Sequence, residues 1–164
     1  MRKPQPPSLT LLDKYRGRDF LPLYTTSVTV RGGEAAHGRA SGIAISDDGE
    51  LLVELRLPVE MGGTGGGTNP EQLFAAGYAA CFHGALSMLA ARAGLSIPDA
   101  SVTATVSFGR DPVDGLFAVI ANINIHLPGV ARAVAEELAR NTERLCPYSK
   151  MAQNGIESVV MLTQ

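Results

Sequence analysis

The sequence has 164 residues, 45% of them hydrophobic and 18% charged, with a net charge of −2; that is one domain's length, with enough apolar material for a core. It carries no basic block, which argues against nucleic acid as a partner, and its two cysteines are too few for a disulfide scaffold. Aromatic residues are 5% and Trp is absent, so the core must be built from Ala, Val, Leu and Ile.

Residues 1–22 read as an N-terminal extension, an arm with a short helix near Leu11 to Tyr15. The domain proper is expected over 23–164. The first residues are polar and basic, with Pro4, Pro6 and Pro7, and lack the apolar run of a secretory signal; a cytoplasmic location is therefore expected. Tyr24 to Arg31, rich in Thr and Val, predicts a strand, and Gly32-Gly33 a turn. Gly38 to Ser46 predicts a second strand, Asp47-Asp48-Gly49 a turn, and Leu51 to Leu57 a third strand.

The run MGGTGGGTNPEQ (Met61 to Gln72) has the glycines of a phosphate loop but not its Gly-Lys-Ser/Thr ending. It reads instead as a flexible loop feeding a helix. Asn69 suits the N-cap, Pro70 the first position, and Gln72 would complete a capping box. The helix should run to about Ala93 and stop at Gly94 in a left-handed C-terminal cap.

That helix is apolar on nearly every face, through Phe74, Ala75, Tyr78, Ala79, Phe82, Ala85, Leu86, Met88 and Leu89. His83, Arg92 and the many small residues favour a buried core helix over a membrane span. Complete burial in so small a domain calls for a second subunit.

Ser101 to Phe108 then predicts a strand and Asp114-Gly115 a hairpin turn. Leu116 to Leu127 predicts a long strand, with Val119, Ala121, Ile123 and Ile125 on one face. Ala131 to Leu145 has helical periodicity and stops at Cys146-Pro147, and Ile156 to Leu162 reads as a final strand. Strands and helices in this order give an α+β fold, mainly antiparallel sheet packed on two helices.

The chemistry rests on the cysteines, 65 positions apart. Free Cys in an Ala-rich helix most often serves as a small hydrophobe, whereas Cys146 sits at a helix end against Pro147. A reactive Cys81 needs a cation to lower its pKa. Arg92 is eleven positions along the same helix, about 16 Å of rise, and cannot reach. An arginine of the N-terminal strands is needed, and among Arg31, Arg39 and Arg56 the choice is Arg39. Glu71 complements the helix dipole in the first turn. It lies ten positions before Cys81, about 15 Å along the axis, so it can act there only from another subunit. His83, two positions from Cys81, points off the opposite side of the helix. No Cys or His pair has zinc-ligand spacing.

Three segments carry a family resemblance: GTNPEQLFAAGYAACFHGAL (Gly67 to Leu86), INIHLPG (Ile123 to Gly129) and LCPYSK (Leu145 to Lys150). From about Tyr24 onward the chain resembles the organic hydroperoxide resistance (Ohr) proteins of the OsmC superfamily. The resemblance implies an intertwined homodimer, with two long central helices buried between subunits and active sites at the interface. It implies that Cys81 is the peroxidatic thiol, that Cys146 is the resolving thiol, and that Glu71 partners an arginine beside the reactive sulfur. The family's arginine follows the Gly-Gly after the first strand; here five residues separate Gly33 from Arg39, a displaced match. The implied reaction reduces organic hydroperoxides to alcohols through a Cys81 sulfenic acid and a Cys81–Cys146 disulfide. A dithiol such as dihydrolipoamide or a lipoylated protein recycles it. Phe74, Tyr78 and Phe82 would wall the substrate site, with no metal or bound organic cofactor. The alternatives are a sister OsmC-type peroxidase with another oxidant, or a non-catalytic redox switch or apolar-ligand module.

Overall fold

The structure, a computed structural model, describes residues 14–33 and 41–163. These divide into two compact units, one drawn from residues 14–74 and 106–120, the other from 75–105 and 121–163. The elements in chain order are β1 (Val28–Arg31), β2 (Gly42–Ser46), β3 (Leu52–Leu55), α1 (Pro70–Arg92), β4 (Ser101–Arg110), β5 (Phe117–His126), α2 (Arg132–Leu145) and α3 (Pro147–Asn154). The α+β expectation holds, with three helices where two were expected. The short helix expected near Leu11 falls largely outside the described residues, and Lys14 and Tyr15 belong to no helix.

In the first unit β1, β2 and β3 form an antiparallel sheet in that order, with Thr29 opposite Ile45 and Ile43 opposite Glu54. The turn after β2 is closed by side chains: Ser46 Oγ donates to Asp48 Oδ1 at 2.5 Å, and the Leu51 N–H donates back to Ser46 Oγ at 2.9 Å. The glycine-rich run is not a free loop. The Arg56 N–H donates to the Thr68 carbonyl and the Thr68 N–H to the Glu54 carbonyl, so the segment lies along β3. At Gly67 a Cβ would stand 2.6 Å from the Glu54 carbonyl oxygen, and only glycine permits that approach.

Both ends of α1 follow local chemistry. The Gln72 N–H donates to Asn69 Oδ1 at 2.9 Å, the expected N-cap. The Gln72 side chain accepts from the Thr68 hydroxyl, not from the N-cap backbone that a capping box uses. At the other end Gly94 has φ +69°, with bonds from Leu95 N to the Ala90 carbonyl and from Gly94 N to the Ala91 carbonyl, the Schellman pattern.

In the second unit Leu86, Leu89, Ala90 and Leu138 form the buried core, with Val102, Ile125 and Leu145 packed against it. Little more than one turn of α1, Leu86 to Ala90, supplies it, and full burial of the helix is not found within one chain. Only Tyr78, Phe82, Leu86, Leu89 and Ala90 are buried, and Ala76, Ala80, His83, Gly84 and Met88 are exposed. The helix is long and apolar enough to cross a membrane; three of its buried residues, Leu86, Leu89 and Ala90, build this core.

The sheet of β4 and β5 turns through Asp111 to Leu116, where the Leu116 carbonyl accepts from Asp111 N and the Asp111 and Asp114 carboxylates accept from Val113 N and Leu116 N. Arg110 lies over the Phe117 ring, 3.9 Å from its centroid. Of the four residues expected on one face of β5, Ala121, Ile123 and Ile125 are half-buried, but Val119 is 51% exposed.

Two corrections concern the C-terminal part. Cys146-Pro147 ends α2 but does not end helical structure, because Pro147 occupies the first position of α3, where its missing N–H costs nothing. Residues 156–162 form no strand. Val160 and Leu162 are 98% and 94% exposed: high strand propensity finds no partner edge among the described residues, and propensity alone does not make a sheet.

Candidate active site

Cys81 lies midway along α1, and Cys146 is at once the C-cap of α2 and the N-cap of α3, with an extended backbone (φ −65°, ψ 119°). The residue before a proline is driven out of the helical region, which makes Cys146 a one-residue corner between two helices. That corner brings the thiols together: their sulfurs are 3.7 Å apart, neither is in a disulfide, and Cys146 is fully buried.

Two contacts between α3 and α1 frame the pair. The Tyr78 and Ser149 hydroxyls are hydrogen-bonded at 3.1 Å, both buried. The Tyr148 ring stands where a Cβ on Gly77 would be 3.2 Å away. Burial pushes the Cys81 thiol above its ordinary pKa, the Tyr148 backbone N–H on its sulfur pulls it down, and the Cys146 thiol adds to the rise.

The other expected site residues are dispersed. Glu71 sits half-buried in the first turn of α1, ten positions from Cys81. With Pro70, Phe74, Val106 and Val119 it lines an apolar cavity of about 260 Å³. Tyr78 and Phe82 line a different cavity of about 320 Å³, together with Ala139, Arg140 and Ser149. Arg39 lies outside the described residues. Arg56 pairs with Glu54 and Arg31 ends β1 at the surface. His83 is exposed. Among the described residues no group of three or more His, Cys, Asp or Glu side chains could hold a metal ion. Sequence reasoning missed the Tyr148 N–H and the Tyr78–Ser149 pair; Pro147, read as the first residue of a new helix, was the available signal.

A family model described as OsmC-like protein matches residues 63–160, which include both cysteines and Glu71. The chain belongs to the OsmC-like family. An organic hydroperoxide resistance protein of Xanthomonas axonopodis pv. citri is 40% identical over 142 residues, covering 85% of this chain and 94% of that protein. Among solved OsmC-like structures, an organic hydroperoxide resistance protein from Legionella pneumophila aligns at 39% identity and TM-score 0.72, over 82% of this chain and 93% of its own. OhrB of Bacillus subtilis aligns at 39% identity and TM-score 0.69, over 81% and 93%.

Proposed function

We propose that this OsmC-like protein is a cysteine-based thiol peroxidase that reduces alkyl and fatty-acyl hydroperoxides to alcohols. The observation that carries the reading is the pair of thiols 3.7 Å apart; relatives named organic hydroperoxide resistance protein support a role in hydroperoxide detoxification. The Cys81 thiolate attacks the distal peroxide oxygen and breaks the O–O bond. The alkoxide takes a proton and leaves as alcohol, and Cys81 becomes a sulfenic acid. The Cys146 thiol attacks that sulfur, expels water and forms the disulfide. An external dithiol (dihydrolipoamide or a lipoylated protein) restores both thiols by exchange and is itself oxidised to a disulfide. These steps use no metal and no bound organic cofactor, and they suit a reducing, cytoplasmic compartment.

Burial, and after it the Cys146 thiol, oppose formation of the Cys81 thiolate, and a neighbouring cation would offset them. We assign it to Arg39, with Glu71 of a partner subunit orienting it. The dimer is supported by the uncovered faces of α1 and by exposed Ile43, Ile45, Val159, Val160 and Leu162. The cavity beside Phe74 suits an alkyl chain, as do the rings of Tyr78 and Phe82. Replacing Arg39 by Ala should move the pH midpoint for Cys81 alkylation up by about one unit or more, because a neighbouring cation lowers a thiol's pKa by that order. An unchanged midpoint would transfer the role to another arginine.

The function is tested by following cumene hydroperoxide consumption with dihydrolipoamide present. Multiple turnovers are expected, and one equivalent of hydroperoxide without dithiol should leave a Cys81–Cys146 disulfide within one chain. A single turnover despite excess dithiol would mark a redox switch. Hydrogen peroxide preferred over alkyl hydroperoxides would mark a sister peroxidase.

A further inference from the structure

The corner at Cys146 is held from one side by hydroxyls that take no part in the chemistry. Gly77, Tyr78 and Cys81 occupy one stretch of α1, while Cys146, Tyr148 and Ser149 occupy the corner and first turn of α3. The two stretches meet at three points: sulfur to sulfur at 3.7 Å, Tyr78 hydroxyl to Ser149 hydroxyl at 3.1 Å, and the Tyr148 ring over the bare Gly77. Tyr78 and Ser149 are 7% and 1% exposed, so their hydrogen bond is shielded from water. They nevertheless border an open cavity of about 320 Å³. Close packing therefore does not fix their separation from every side, and the bond between the hydroxyls supplies the missing restraint.

We propose that the Tyr78–Ser149 hydroxyl pair is a positioning device for the resolving step, holding Cys146 where it captures the Cys81 sulfenic acid before a second hydroperoxide does. The inference rests on the peroxidase reading above. The sulfurs must close from 3.7 Å to the roughly 2 Å of a disulfide, and the tether keeps α3 in register with α1 while the Cys146 corner moves. Two fates compete for the sulfenic acid. Attack by Cys146 gives disulfide and water; attack on a second ROOH gives sulfinic acid and alcohol. Whatever lengthens the average distance to Cys146 shifts the balance to the second.

The test uses full-length protein, reduced and then mixed rapidly with cumene hydroperoxide. Tyr78→Phe and Ser149→Ala each remove one hydroxyl, and the double variant removes both. In Ser149→Ala, at a residue that takes no part in catalysis or substrate binding, hydroperoxide consumption in the first step should stay within about twofold of the unmodified protein. Disulfide closure should slow about fivefold, equivalent to about 1 kcal/mol, the worth of one shielded hydrogen bond. With excess hydroperoxide, mass spectrometry should find the sulfinic fraction of Cys81 several-fold higher. The double variant should be no slower than the slower single one, because all three lose the same bond. A loss of thermal stability with normal closure and a normal sulfinic fraction would overturn the proposal, as would equal slowing of both steps in Ser149→Ala. If the unmodified protein itself forms no Cys81–Cys146 disulfide, the peroxidase assignment fails first. If it closes normally and the variants close equally fast, only the tether is wrong.

Discussion

Serine in place of Cys81 is expected to cut hydroperoxide turnover at least about a thousandfold, since an alcohol in this setting supplies no comparable nucleophile. Serine in place of Cys146 should behave differently. Before any dithiol is added, that variant should consume about one equivalent of hydroperoxide and stop, because the sulfenic acid forms but finds no second thiol. With excess hydroperoxide its Cys81 should reach the sulfinic acid, about 32 mass units (two oxygen atoms) above the thiol. Stopped-flow consumption and intact mass give both results. If the two variants lost the first oxidation step equally, the order of the thiols would be wrong, and the 3.7 Å approach would describe a simple switch.

The second large effect concerns Glu71. It lies ten positions before Cys81 on α1, about 15 Å of helical rise, beyond a glutamate's reach. A Glu71→Ala chain and a Cys81→Ser chain should each be nearly inactive alone. Co-expressed with different tags and purified as a verified heterodimer, they should regain about half the activity of the unmodified protein, because one of two symmetric sites then holds both groups. No recovery would show that Glu71 does not act on the partner's Cys81. Recovery would establish at once the dimer, the shared site and the role of the carboxylate.

What could be read from the sequence was mostly local. The Asn69 cap, the Pro70 start and the Gly94 stop are settled within a few residues by hydrogen bonds that short segments make for themselves, and all three stand. The distance from Glu71 to Cys81 also follows from counting along one helix. The meeting of Cys81 and Cys146 does not, since 65 positions separate them and no periodicity connects the segments; the residues alone left both as inert hydrophobes or a functional pair, and the family resemblance supplied the pairing. One misreading concerns the end of the chain. Residues 156–162 have strand propensity but pair with no strand among the described residues, whereas α1, expected to need a second subunit for full burial, does keep open apolar faces. Residues 147–154 were missed for another reason: a proline at a helix end was read as a stop, when Pro147 also begins the next helix.

Pro147 has a further consequence. The residues on either side of Cys146 are helical, α2 ending at Leu145 and α3 beginning at Pro147. With an ordinary residue at 147, nothing local would stop the two from fusing into one continuous rod from Arg132 to Asn154. Proline forbids that competitor, because its ring excludes the helical conformation at Cys146 and collides with the carbonyl four residues earlier. The thiol thus sits at the one joint in this stretch that cannot straighten. The bend is a safeguard written in covalent geometry, and the ring that imposes it is untouched by any chemistry at the sulfur.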